Sequence, residues 1–83
     1  MNKVEIYSHS QCSYCHQAKK LLNIRGIPFE EFDAGKNQEI LQEMLRRTGG
    51  RTFPQIIVDN KSIGGFDQLR ELDSQGQLVY QKN

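Results

Sequence analysis

At 83 residues the chain has room for one small domain, and a domain of that size folds alone only around an efficient core. Hydrophobic residues make up 36% and charged residues 25%, and the net charge of +1 excludes a dominant field for nucleic acid or an acidic membrane. The first apolar run is broken at Glu5 and ends by Ser8, too short for a secretory signal or a membrane span, and two cysteines are too few for the disulfide framework of a secreted mini-domain, so the expected compartment is the cytoplasm.

In chain order, residues 3–8 read as a first strand and 13–25 as a helix that buries Cys15, Ala18, Leu21 and Leu22 and stops at Gly26 in a C-cap role. The pair Lys19-Lys20 reads as a solvated face of that helix. Residues 28–33 predict a second strand, parallel to the first, with Pro28 at its first position where a missing N–H does least harm. Asn37 is placed to cap a second helix running to about Arg47, with Ile40, Leu41, Met44 and Leu45 on its apolar stripe and Thr48-Gly49-Gly50 ending it.

Residues 55–58 and 61–63 flank Asp59-Asn60, a pair suited to a tight turn, which predicts a β-hairpin. Residues 66–74 form a last short helix with Leu69 and Leu72 inward, and 76–83 read as a frayed polar tail. The order β-α-β-α-β-β-α predicts an α/β fold, a mixed four-stranded sheet flanked by helices, in one domain over 1–83 with no internal repeat.

The chemistry sits at Cys12-Ser13-Tyr14-Cys15, between the first strand and the first helix. A cysteine at a helix N-terminus faces unpaired backbone N–H groups and the positive end of the helix dipole, and both favour thiolate over thiol. Cys12 is therefore the candidate nucleophile. Cys15 lies one turn along the same face, its Cα roughly 5 to 6 Å away, within reach of a disulfide. It is the candidate resolving thiol.

Two other patterns overlap the motif. Cys12-Ser13-Tyr14-Cys15-His16 matches the C-x-x-C-H of covalent haem attachment, which normally requires export and is not tied to a strand-to-helix turn. Zinc could use Cys12 and Cys15 with His9 or His16, although a structural site normally draws a second ligand pair from further along the chain. The single residues have plain readings too: Pro54 as a strand-start proline, Thr52 as a turn residue, Asp67 as a first-turn acid and Phe53 as packing.

Four features together resemble the glutaredoxin family over nearly the whole chain: Tyr14 between the cysteines, Thr52-Phe53-Pro54 before the third strand, Gly64-Gly65 after the fourth, and Asp67 beyond. The chain looks like a small bacterial-type dithiol glutaredoxin. The resemblance implies a thioredoxin-like fold and a thiol-disulfide oxidoreductase that uses glutathione as co-substrate, with no permanent cofactor. It implies reduction of glutathionylated proteins and protein disulfides through Cys12 and Cys15, with ribonucleotide reductase among the partners to consider, in a monomer.

In such proteins a proline matching Pro54 is cis and the residue matching Phe53 pairs its backbone with glutathione, while Thr52 shapes the same wall. The γ-glutamyl carboxylate is implied on the backbone of Gly65, Phe66 and Asp67, its ammonium on the Asp67 carboxylate, and Tyr14 beside the sulfur. Three positions depart from the pattern. His9 replaces a common lysine, leaving Arg51 as the substitute cation at the carboxylate end; Ser13 replaces a common proline; and Phe66 stands where relatives often carry cysteine or serine.

Two further functions are left open by the sequence. One is a redoxin reduced directly by thioredoxin reductase. The other, suggested by Ser13 and its parallel in some relatives, is a carrier or sensor of a glutathione-ligated [2Fe-2S] cluster, with Cys12 a ligand from each of two subunits.

Overall fold

The computed structural model describes residues 1–81 and has the element order β1 (Val4–Ser8), α1 (Ser13–Ile24), β2 (Glu30–Asp33), α2 (Gln38–Thr48), β3 (Gln55–Val58), β4 (Lys61–Gly64) and α3 (Phe66–Ser74). The sheet runs β2-β1-β3-β4, with β1 and β2 parallel and the β1-β3 and β3-β4 pairs antiparallel. β1 is central and buried along its whole length, so both of its faces serve as core.

One face carries Val4 and Ile6, which pack with Ala18 and Leu22 of α1, Ile56 of β3 and Leu69 of α3. The other face carries Tyr7 and Ile57 against Met44 of α2. The period-2 alternation of strand side chains thus assigns α1 and α3 to one side of the sheet and α2 to the other. The α2 stripe is shallower than the sequence suggests: Met44 alone is fully buried, and Ile40, Leu41 and Leu45 pack on the cluster while half exposed.

The local signals act as expected at most boundaries. Asn37 Oδ1 accepts from the Glu39 and Ile40 N–H groups at 3.0 and 3.2 Å, which caps α2. Asp59 and Asn60 take φ of 51° and 67°, the left-handed pair a two-residue hairpin turn requires. Asp59 Oδ1 also accepts from the Asn2 and Lys3 N–H groups, tying the hairpin tip to the start of β1.

Three expectations need correction. β2 begins at Glu30 rather than at residue 28, because the Ile27 N–H remains bonded to the Leu22 carbonyl at the end of α1 and pairing with β1 begins only at Glu5 and Glu30. Lys19 is not a solvated lysine: its Nζ lies 2.8 Å from Glu31 Oε2. The tail is not frayed over 76–81. Leu78 is buried in the main core, the Met1 ammonium donates to the Val79 carbonyl at 3.0 Å, and the Gln81 N–H donates to the Met1 carbonyl at 2.8 Å. Residues 82 and 83 of that predicted tail lie outside the described residues.

Candidate active site

β1 ends at Ser8, and the short turn after it places Cys12 as the N-cap of α1. Its backbone is extended, and its Sγ accepts the Cys15 backbone N–H at 3.1 Å. The sulfur takes the place that an oxygen occupies in an ordinary cap, so a peptide dipole points at it. Both cysteines are free thiols, Cys12 half exposed and Cys15 wholly buried. Burial pushes the Cys15 thiol up to about 12, and its contact with Cys12 adds to the shift. The two sulfurs therefore differ in kind: one is partly open to solvent, and the other is buried as a neutral thiol.

A cleft of about 240 Å³ opens beside Tyr14, the residue between the two cysteines that lines it. One wall is Thr52, Phe53 and Pro54, with a cis peptide before Pro54; the other is Gly65, Phe66, Asp67 and Gln68 at the start of α3, and Tyr14 joins from α1. Seven residues expected around a bound ligand, Tyr14, Thr52, Phe53, Pro54, Gly65, Phe66 and Asp67, thus line one cavity. Tyr14 is exposed and stacks on Phe66 with centroids 5.9 Å apart, and Arg70 lies over the Phe66 ring.

This geometry favours the glycine pair. Gly64 has φ 109°, a conformation that side chains rarely adopt, and a Cβ on Gly65 would stand 3.2 Å from the Pro54 carbonyl oxygen. Without side chains there, the two walls approach each other across the sheet.

His9 and Arg51 are placed elsewhere. His9 packs edge-on against Phe53 with centroids 4.8 Å apart, and its Nδ1 accepts the Gln11 N–H at 3.1 Å, so it backs the wall from behind. Arg51 is exposed and lines a separate apolar groove with Leu41, Leu45 and Phe53. Neither lines the cleft. Ser13 is exposed at the first position of α1.

Two glutamines escaped the sequence reading. The Gln68 side-chain oxygen accepts the Gly65 N–H at 2.9 Å and lines the cleft; its spacing three residues after the N-cap is that of a capping box, which could have revealed it. Buried Gln55 donates to the Thr52 carbonyl and hydroxyl at 2.9 and 3.1 Å and fixes the Thr52 wall, a role with no local pattern. Among the described residues no three His, Cys, Asp or Glu side chains converge as metal ligands, so the zinc set of Cys12, Cys15 and a histidine is not assembled.

A dithiol at a strand-to-helix turn on this sheet, with a cis-proline wall beside it, defines a thiol-disulfide oxidoreductase of thioredoxin-like fold. The glutaredoxin family profile matches residues 4–63. Glutaredoxin 3 of Escherichia coli K12 is 45% identical over 78 residues, covering 94% of each chain, and a probable glutaredoxin of Synechocystis is 47% identical over 77 residues, covering 92% of this chain and 71% of its own. In structure, the solution form of glutaredoxin from Brucella melitensis aligns at TM-score 0.79 and 42% identity, covering 94% of this chain and 85% of that one. A buckwheat glutaredoxin-glutathione complex aligns at TM-score 0.82 and 30% identity, covering 93% and 73%. The chain belongs to the glutaredoxin family.

Proposed function

We propose that this glutaredoxin uses glutathione to reduce glutathionylated proteins and protein disulfides, with Cys12 as nucleophile and Cys15 as resolving thiol. The observation that carries this reading is the cleft: seven residues that glutathione would need line one cavity, which includes Tyr14 of the dithiol motif. The buckwheat relative, solved as a glutathione complex, supports the same ligand for this fold.

The chemistry follows from exposure. Cys12 thiolate attacks the glutathione sulfur of a mixed disulfide, the protein thiolate leaves and takes a proton, and glutathione remains on Cys12. A second glutathione thiolate then attacks that glutathione's sulfur and frees Cys12. With a protein disulfide, Cys15 attacks Cys12 in the mixed intermediate, and glutathione reduces the resulting Cys12-Cys15 bond. The Phe53 backbone, on the cleft wall next to the cis peptide before Pro54, is the proposed partner of the ligand's cysteine in the manner of an added strand, and the start of α3 is the proposed partner of its γ-glutamyl carboxylate. Asp67, an acid on the cleft wall, is the proposed partner of the ammonium. The cytosol, where glutathione keeps thiols reduced, is the compartment this function needs.

The test is NADPH consumption with glutathione, glutathione reductase and a small glutathione mixed disulfide. Turnover that requires both the protein and glutathione is the expected result. Turnover supported instead by thioredoxin reductase without glutathione would replace this reading with that of a directly fed redoxin.

A further inference from the structure

Lys19 follows Cys15 by one helical turn on α1, a spacing that places their side chains as neighbours on one face. Its side chain keeps only 24% of its exposure, and its Nζ lies 2.8 Å from Glu31 Oε2. The same oxygen accepts the Ser8 hydroxyl at 2.7 Å, and Ser8 is buried at the end of β1, just before the turn to Cys12. A carboxylate held by two strands thus anchors an ammonium beside the dithiol. Lys19, then Ser8, hold the Glu31 carboxyl below its ordinary range, with His16 contributing from α1, so the anchor is ionised at neutral pH.

Three groups act on the Cys15 thiol besides its burial. Cys12 opposes its ionisation, while the His9 backbone and the Lys19 charge favour it. Among the described residues acting on that thiol, Lys19 alone brings a full positive charge. The attack of Cys15 on a mixed disulfide must create negative charge at a sulfur with no exposure to water, where a nearby fixed cation has its largest effect.

We propose that Lys19, anchored by Glu31 and Ser8, is a positioning residue for the resolving step, its cation facing the charge that develops on Cys15 Sγ and setting how well the two-thiol route runs relative to the one-thiol route. The proposal rests on the assignment of Cys12 as nucleophile and Cys15 as resolving thiol. In the step, Cys15 Sγ attacks Cys12 Sγ of Cys12-S-S-R. The bond to R breaks, the Cys12-Cys15 bond forms, and the electron pair leaves as RS⁻, which takes up through solvent the proton that Cys15 gave up. No outside oxidant or reductant is consumed.

The experiment loads Cys12 with glutathione, removes the free tripeptide and follows glutathione release by Cys15 in a single turnover. Lys19→Met is expected to slow release about tenfold, and Lys19→Arg to restore most of the rate. Glu31→Gln is expected to slow release as well, since the lysine loses its anchor. A single partly exposed ion pair adds little to stability, so in a Cys15→Ser background Lys19→Met should leave one-thiol turnover within about twofold. Release at the wild-type rate from the Lys19→Met protein, or an equal loss in both routes, would overturn the proposal. Failure of the underlying assignment is separate and visible earlier: the wild-type protein would then release no glutathione, and the role of Lys19 would fall with it.

Discussion

The two cysteines of the motif are separated in function by burial. Cys12 is half exposed and caps a helix, whereas Cys15 is wholly buried and its thiol is pushed up to about 12. Cys12→Ser is therefore expected to reduce turnover of both substrate classes to the uncatalysed background. Cys15→Ser should retain turnover of small glutathione mixed disulfides and lose reduction of protein disulfides, which parallel assays with the two substrates would separate; an active Cys12→Ser protein would refute the assignment. Asp67 offers a second test, because it is an exposed carboxylate at the first turn of α3 on the cleft wall. Asp67→Asn should raise the KM for glutathione roughly five- to tenfold, about the worth of one charge-assisted hydrogen bond, with kcat little changed. The positions legible in the sequence are those fixed by local geometry: a cap at Cys12, a partner three residues on, a first-turn acid. The placement of His9 and Lys19 was less legible because it is set by chain-distant partners, Phe53 for the first and Glu31 for the second, and Arg51 lines its groove with Leu41 and Leu45 of α2.

At the level of elements, α2 is joined to the central strand by a polar network as well as by Met44. Arg47 binds both oxygens of the buried Glu5 carboxylate at 3.0 Å and donates to the Tyr7 hydroxyl at 2.9 Å, and the Tyr7 hydroxyl in turn donates to Glu43. Glu5 breaks the apolar run of β1 in the sequence, but the break reflects a partner on the facing helix rather than a solvent face. No local pattern links residues 42 positions apart, so the network was not legible, while the helix boundaries around it were, through Asn37 and Gly49. Arg47 holds the Glu5 carboxyl below its ordinary 4.5, so the native state binds fewer protons than the unfolded chain. The contribution is complete above pH 4.5 and is lost as pH falls through the lowered native value. Glu5→Gln is expected to destabilise the protein by about 2 kcal/mol at pH 7, and denaturant melts should show the gap to wild type closing as pH falls below 4.5. A gap that persists unchanged at low pH would assign the loss to packing.

For the whole molecule, the order of elements and the sheet were readable because each turn and cap sits in its own stretch of sequence, whereas the closure of the chain on itself was not. Residues 76–81 offer no periodicity, only Leu78 among glycine and glutamines with a short apolar patch after it, and such a stretch reads as solvent-facing. In the fold Leu78 joins Leu22 and Leu69 in the core, and the Val79 carbonyl and the Gln81 N–H pair with the Met1 backbone. In so small a domain each buried leucine is a sizeable share of the apolar area withdrawn from water. Leu78→Ala should therefore cost roughly 2 to 3 kcal/mol and lower the melting midpoint by about 10 to 20 °C. Leu78 does not line the cleft, so turnover at 25 °C should match wild type as long as the protein remains folded. Thermal melts and the NADPH-coupled assay on one preparation decide between docking and fraying, because a frayed tail would leave the midpoint unmoved when Leu78 is truncated.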